Sequence, residues 1–158
     1  MAISPFLARI RSLVGHELLV LPSVAVLPWD SGGRLLMVRD VGIDCWVTVG
    51  GMIEPGERPR EAAVRQAREE TGLELEITGL REVVGGLEYQ VTYPNGDQVA
   101  YVSPVFDARV LAGELRPDGD EVSQVGWFSP VEIERELELN GFTRALLRDS
   151  GVIPGPWA

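Results

Sequence analysis

Two adjacent glutamates near the end of one predicted helix are the side chains of this sequence best suited to chemistry. Glu69 and Glu70 stand three and four residues after Gln66, and at about 100° per residue all three side chains project to one side of a helix. Clustered carboxylates repel one another, but a divalent cation reverses this penalty because hard cations bind carboxylate oxygens. The spacing therefore indicates a metal site. The solvated face of an ordinary Glu- and Arg-rich helix is the alternative that composition leaves open.

Residues around this acidic face are also compatible with a metal site. Gly50-Gly51, before the helix, lets the backbone approach a ligand closely, and an exposed carbonyl there would add an oxygen ligand. Glu57 lies in the loop between them, within reach of a basic residue on the helix. Ala63, Val64 and Ala67 form a small apolar face suited to packing on a sheet. The acidic face would then border a cleft.

The composition restricts the class of protein. A chain of 158 residues suits a single domain, and 45% hydrophobic with 24% charged residues is ordinary for a globular protein. The net charge of −10 argues against binding a nucleic acid polymer, which needs clustered Lys and Arg. This charge is compatible with a small polyphosphate when divalent cations lie between the carboxylates and the phosphates.

Single residues and short apolar runs exclude further classes. Cys45 and His16 are the only cysteine and histidine, which excludes an intramolecular disulfide, a cysteine zinc cluster and a two-histidine metal motif. The N-terminal apolar run is too short for a signal peptide, and residues 17–29 fall far below the length of a membrane span. We therefore expect no membrane association and a cytoplasmic location.

The acidic helix lies among strands that we expect to form one domain over 1–158, with its core at about 18–137. Predicted helices cover about 4–14, 59–71, 129–137 and 141–149, and predicted strands cover 18–28, 34–40, 44–49, 122–128 and two long runs within 73–109. Gly50-Gly51 leads into a loop over 52–59, and 111–121 is a second loop. Asn95-Gly96 signals a two-residue hairpin turn, and Pro104 an edge strand or a bulge. This order predicts an α+β fold, or a mixed sheet with helices on both faces.

The segment 51–73 resembles the box of the Nudix (MutT-like) hydrolase family, Gly-x5-Glu-x7-Arg-Glu-U-x-Glu-Glu-x-Gly-U, where U is aliphatic. Both long spacers are intact, and the matching positions are Gly51, Glu57, Arg65, Ala67, Glu69, Glu70, Gly72 and Leu73. Upstream, CWVTVGGMIEPGE is similar to the family's Trp-x-Leu-Pro-Gly-Gly approach, with Thr48-Val49 in place of Leu-Pro. The resemblance implies the Nudix fold, an α/β/α sandwich with a mixed central sheet.

The resemblance also implies an enzyme: a pyrophosphatase that hydrolyses a nucleoside diphosphate linked to another moiety, acting on an acid anhydride with Mg²⁺, or alternatively Mn²⁺. By position, Glu69 and Glu70 are the implied metal ligands, helped by the Gly51 carbonyl. Glu57 and Arg65 would form the ion pair that holds the loop against the helix. The further acidic residue that family members often supply is implied in a later loop.

Glu121 is the candidate for that further acid, both as metal ligand and as catalytic group, with Asp118 and Asp120 as its neighbours. This residue stands outside the matched box, so its assignment depends on its place in the loop before a predicted strand.

Gln66 departs from the family pattern, which has a glutamate that binds metal or acts as general base. Glutamine still offers a carbonyl oxygen to a cation, but it has no titratable carboxylate and cannot accept a proton. Three explanations stay open: another carboxylate, such as Glu70 or Glu121, serves as base; the glutamine is an introduced substitution; or the domain is a catalytically silent module that binds nucleotides or a protein partner.

The substrate is specified only as a nucleotide or nucleoside-diphosphate small molecule. Trp46, Tyr89 and Tyr101 are candidates for stacking on a base, against the alternative that they are core or sheet-surface residues. Nucleoside diphosphate sugars, ADP-ribose, oxidised nucleoside triphosphates and dinucleoside polyphosphates all fit the box. Family resemblance also allows a homodimer.

Overall fold

The computed structural model describes residues 3–155, which contain one mixed sheet and four helices. In chain order the elements are α1 (Pro5–Val14), β1 (Leu19–Trp29), β2 (Leu35–Asp40), β3 (Trp46–Val47), β4 (Val49–Met52), α2 (Pro59–Thr71), β5 (Leu73–Val84), a 3-10 turn (Leu87–Tyr89), β6 (Gln90–Thr92), β7 (Gln98–Gly113), β8 (Val122–Phe128), α3 (Pro130–Glu136) and α4 (Gly141–Asp149). None of these helices is long and apolar enough to cross a membrane.

The strand order explains why the sheet is mixed. The main path runs β3-β2-β1-β7-β5, while β4 pairs with β1, β6 with β7 and β8 with β2. The β1–β7 pair is parallel and the other pairs are antiparallel. The predicted α+β class and the mixed central sheet are therefore confirmed.

Side-chain alternation along β1 produces the layers. Val24 and Val26 pack in a cluster with the small apolar face of α2, whereas Ala25 and Leu27 pack in a second cluster with residues of α3 and α4. Successive side chains of a strand point to opposite faces, so one strand contributes to both clusters. Helices thus cover both faces of the sheet, which is the predicted α/β/α sandwich. A third, smaller cluster joins Leu7 of α1 to the sheet beside the site.

Local signals fix the ends of α2, the helix that carries the box. Pro59 is its first residue, and the Glu61 carboxylate accepts a hydrogen bond from the backbone N–H of Arg58 at 3.0 Å. Gly72 ends the helix in a left-handed conformation with φ 74°, which a side chain would disfavour. The predicted bounds 59–71 are confirmed.

The hairpin between β6 and β7 differs from the predicted two-residue Asn95-Gly96 turn. The N–H of Gly96 donates to the carbonyl of Tyr93 at 2.9 Å, and the N–H of Tyr93 donates to the carbonyl of Asp97 at 2.8 Å. The loop therefore contains three residues, with Pro94 and Asn95 central and Gly96 following at φ 94°. Pro94 sets the first φ of this turn, which moves the glycine to the last loop position.

The strands around this hairpin also differ from the prediction. Gly85-Gly86 and the 3-10 turn interrupt the first long strand, so β6 is a separate short strand. Pro104 lies in β7 between β1 and β5, so the edge-strand alternative is wrong; the pairing with β1 passes from Pro22–Val102 directly to Ala25–Val105. β7 extends through Gly113 into the predicted loop, because β5 pairs with it to the end.

Candidate active site

Strand β4 and helix α2 form the centre of the site. The predicted strand ended at Val49, but Gly50 and Gly51 lie within β4, opposite Ala25 and Val24 of β1. A Cβ at Gly50 would lie 2.2 Å from the Val24 carbonyl oxygen, and a Cβ at Gly51 would lie 2.3 Å from Nε2 of Gln66. The first glycine thus permits close strand pairing, and the second permits the Gln66 amide to lie directly against the strand.

Arg65 joins the loop, the strand and the helix at this point. Its Nε donates to Glu57 Oε2 and its Nη2 to Glu57 Oε1, each at 2.9 Å. Nη2 also donates to the Met52 carbonyl at 3.1 Å, and Nη1 donates to Glu69 Oε2 at 3.2 Å. A planar guanidinium makes this two-point contact with a carboxylate, so the interaction fixes both distance and orientation.

Glu70 is the buried charge of the site. Only 8% of it is exposed, and its Oε2 has no hydrogen-bond partner among the described residues. Burial raises the pKa of this carboxyl well above its usual range; a hydrogen bond from the Gly50 N–H opposes the shift, and the charges of Glu121, Asp118 and Asp40 raise the pKa further. The carboxyl group is therefore held where a negative charge would lack compensation.

The loop before β8 places two other acids, Asp118 and Glu121, near Glu70. Asp118 Oδ1 accepts hydrogen bonds from the backbone N–H groups of Asp120, Glu121 and Val122 at 2.9, 3.0 and 2.8 Å. The Val41 N–H donates to the Glu121 carbonyl at 2.9 Å, which ties this loop to the end of β2. The segment before β8 is thus held against the site by its own turn and by β2.

Asp40 is a site residue that the sequence did not suggest. It ends β2 and pairs with Val122, the first residue of β8, so its carboxylate comes near Glu70 through strand pairing. Its Oδ1 accepts hydrogen bonds from the N–H groups of Gly42 and Ile43 at 2.8 and 3.1 Å. The pairing of β2 with β8 is the signal that would have found it.

The box borders a cleft with two lobes. The larger lobe, about 610 Å³, is lined by Gln66 and Glu69, and the smaller, about 370 Å³, is lined by Glu70. Gly51 and Glu121 line both lobes. The structure therefore brings the candidate residues to one cleft but separates Glu69 and Glu70 onto different parts of its wall.

Of the three aromatic candidates, only Tyr101 reaches this cleft. It lines both lobes, and its hydroxyl lies 2.5 Å from the hydroxyl of Tyr93. Trp46, 9% exposed, packs edge-on against Phe128 in the core cluster. Tyr89, 1% exposed, lies in the same cluster and donates its hydroxyl to Asp149 at 2.7 Å. Neither Trp46 on β3 nor Tyr89 in the 3-10 turn lines the cleft, because both pack in the core cluster that also contains residues of α3 and α4.

Comparison with known proteins agrees with this geometry. Residues 20–149 match the family model of the NUDIX domain. The chain belongs to the Nudix family. Among its Nudix relatives, the nucleoside triphosphatase NudI of Enterobacter sp. (strain 638) is 31% identical over 131 residues, which cover 78% of this chain and 92% of NudI.

Two further Nudix proteins show the range of the family. The NAD-capped RNA hydrolase NudC of Pseudomonas aeruginosa (strain LESB58) is 30% identical over 145 residues, 85% of this chain but 48% of NudC, so the chain spans about half its length. The MutT NUDIX hydrolase from Burkholderia pseudomallei superposes with a TM-score of 0.67 and 26% identity, covering 82% of this chain and 97% of that one. These named hydrolases support the assignment of the chain to the Nudix-type pyrophosphohydrolases.

The Nudix box of this chain fits a divalent cation at one carboxylate. Among residues 3–155, no three His, Cys, Asp or Glu side chains lie close enough together to hold a metal ion. Glu69, whose side chain is 57% exposed, accepts a hydrogen bond from Arg65 instead of facing Glu70. Glu70 Oε2, unpartnered and surrounded by negative charge, is the oxygen whose energy a bound cation would lower.

Proposed function

We propose that this Nudix protein hydrolyses a nucleoside diphosphate linked to another moiety, with Mg²⁺, or alternatively Mn²⁺, as its metal. The observation that carries the proposal is the buried Oε2 of Glu70 on the wall of the cleft, which has no hydrogen-bond partner within residues 3–155. A carboxylate in this position is costly without a cation, and a cation there would neutralise the diphosphate as well. The names of NudI and NudC, a nucleoside triphosphatase and a hydrolase of NAD-capped RNA, support a nucleotide substrate.

The groups proposed to hold the metal are Glu70, Glu121 and the Gly51 carbonyl. Glu69 would join them if its hydrogen bond with Arg65 broke. When bound, the metal supplies a Lewis acid for the phosphates and lowers the pKa of a water molecule. The chain itself positions these groups. The Glu57–Arg65 ion pair holds the loop against α2, and Arg65 donates a hydrogen bond to the Met52 carbonyl, which fixes β4 against α2.

Gln66 has a binding role in this proposal because its amide cannot accept a proton. Its side chain lies against Gly51 and lines the larger lobe, where it can contact a phosphate or a water molecule. Glu121 is the proposed general base in addition to its place beside the metal, since it lines both lobes, whereas Glu70 is buried on the wall of the smaller one. The second candidate function, a silent module that binds nucleotides or a protein partner, is favoured by Gln66 alone.

The decisive experiment measures the Mg²⁺-dependent release of nucleoside monophosphate from a panel of nucleoside diphosphate derivatives, for this chain, Gln66→Glu and Gln124→Glu. Gln124 is exposed on β8, so its variant matches the change of charge without touching the cleft. Activity in all three proteins supports hydrolysis with a base other than residue 66. Activity in Gln66→Glu alone shows that the glutamine disables the reaction. Tight binding without turnover in any of them contradicts hydrolysis and supports the silent module.

The cytoplasmic location and the homodimer belong to the same proposal. Cell fractionation tests the location, and sedimentation of the purified chain tests the dimer. A strictly monomeric chain that retains activity would remove the homodimer from the proposal without affecting the reaction.

A further inference from the structure

Helix α1 lies outside the matched Nudix domain but forms part of the cleft wall. The family match begins at residue 20, whereas α1 covers Pro5–Val14. Leu7 and Arg11 of this helix line the larger lobe together with Gln66 and Glu69 of the box. The helix therefore lies outside the residues matched by the family model and still contributes to the wall of the cleft.

Arg11 fixes α1 to the sheet. It is 9% exposed and donates hydrogen bonds to the backbone carbonyls of Gly15 at 3.1 Å, Glu17 at 2.6 Å and Gln98 at 2.8 Å. Its Nε also lies 3.6 Å from Asp97 Oδ2. Charge-assisted bonds of a buried guanidinium are strong, so they hold α1 against the start of β7. The ion pair with Asp97 joins α1 to the turn 93–97, and the two together form one wall of the lobe.

The chemistry of this wall suits a flat apolar group. Leu7 packs in a cluster with Met52, Val99 and Tyr101, and Tyr93 lies against the same cluster. The lobe of about 610 Å³ lies within the usual size range of small-molecule sites. Apolar and aromatic side chains stack well on the face of a nucleobase, whereas the hydroxyl groups of a sugar need more polar partners.

Burial and hydrogen bonding keep the aromatic part of the wall neutral. Burial raises the pKa of the Tyr101 hydroxyl, and its hydrogen bond with Tyr93 raises the pKa further. The uncharged phenol of Tyr101 next to the acidic box does not repel a diphosphate that continues from the lobe toward Gly51.

We propose that α1 and the turn 93–97 form the binding site for the nucleobase of the substrate, with Leu7 and Tyr93 as specificity-determining residues. The inference rests on the proposed function, since it places the diphosphate at the box, between the two lobes. The nucleobase lies in the larger lobe, and the Glu70 side of the cleft takes the phosphate end of the substrate.

The test compares binding of a nucleoside diphosphate with binding of inorganic pyrophosphate. Calorimetry in Mg²⁺ identifies the tightest ligand among ADP, GDP, UDP and CDP for the parent chain. Leu7→Trp fills the lobe, and Tyr93→Ala removes a stacking surface from the turn. Leu13→Trp is the matched control, because Leu13 lies on the same helix with 75% of its surface exposed.

We expect Leu7→Trp and Tyr93→Ala each to weaken the nucleotide about tenfold or more, the size of a lost stacking contact, and to leave pyrophosphate within about twofold. Leu13→Trp should change neither. Equal weakening of both ligands, or unchanged nucleotide binding in Tyr93→Ala, would overturn the inference. If Leu7→Trp fails to fold by circular dichroism, Tyr93→Ala decides alone. A parent chain that binds neither ligand contradicts the proposed function itself.

Discussion

Gly50 and Gly51 are adjacent, but the structure predicts that alanine at each position has a different effect. A Cβ at Gly50 would lie 2.2 Å from the carbonyl oxygen of Val24 and 3.1 Å from Cα of Ala25, both in the backbone of β1. A Cβ at Gly51 would lie 2.3 Å from Nε2 of Gln66, the far end of a flexible side chain. Gly50→Ala must therefore separate two strands, whereas Gly51→Ala needs only a rotation of one side chain.

The two free energies of unfolding should differ accordingly. Overpacking against rigid backbone lowers stability by about 1–3 kcal/mol, so we expect Gly50→Ala to lose about 3 kcal/mol. Moving Gln66 off its rotamer costs about 0.5–1.5 kcal/mol, and the smaller freedom of alanine in the unfolded chain offsets about 0.4–1 kcal/mol. Gly51→Ala should therefore stay within about 1 kcal/mol of the parent.

The affinity for a nucleotide should show the opposite order, with the larger loss in Gly51→Ala. In Gly51→Ala the displaced Gln66 side chain moves into the cleft beside the box, so we expect binding of a Mg²⁺–nucleotide to weaken about tenfold or more, which is about 1.4 kcal/mol. Urea unfolding followed by circular dichroism gives the stabilities, and calorimetry gives the affinities. Equal loss of stability in the two variants, or unchanged affinity in Gly51→Ala, would refute the assignment of these glycines.

Two further predictions concern the charges of the box. In EDTA, the raised pKa of Glu70 means that the native state holds a proton which the unfolded chain releases, so the free energy of unfolding falls as pH rises above the ordinary carboxyl range. Glu70→Gln should lack this fall and be the more stable protein at alkaline pH. Parallel pH profiles of the free energy of unfolding for the two proteins would contradict this. Arg65→Lys should lose the two-point contact with Glu57 and about 1–3 kcal/mol of stability. Arg68→Lys, whose pair with Glu74 is exposed, should leave the stability close to that of the parent in the same urea titration.

Helix α2 was predictable because its determinants are local. Pro59 begins it and Gly72 ends it, and both signals act through the residue's own φ angle. The fixed spacing within the helix likewise placed Gln66 and Glu69 on the wall of one lobe. The helix and these two cleft residues were therefore predictable. Of the predicted packing face, Ala63 and Ala67 lie in the core cluster with Ala62, whereas Val64 is only half-buried.

The rest of the site depends on contacts between distant segments. Trp46 and Tyr89 lie in the core because they pack in one cluster with residues of α3 and α4, and neither residue's own neighbours in sequence specify that packing. Asp40 reaches Glu70 only through the pairing of β2 with β8. Helix spacing placed Glu69 beside Glu70, but the bond to Arg65 turns Glu69 to another part of the wall.

The hairpin shows how one residue changes a local prediction. Asn95-Gly96 alone favours a two-residue turn, but Pro94 occupies the first central position and shifts the loop by one residue. This shift has a functional consequence, since Tyr93 at the start of the turn lines the cleft next to α1.

Glu70 is proposed to hold a divalent cation between the Nudix box and the diphosphate of a nucleotide. A crystal grown with Mn²⁺ and a non-hydrolysable nucleoside diphosphate analogue tests this directly, because anomalous scattering locates the metal. We predict an anomalous peak bound to Oε2 of Glu70 and to the diphosphate. A nucleotide bound in the cleft without a metal at Glu70, or a metal held only by residues elsewhere, would contradict the account.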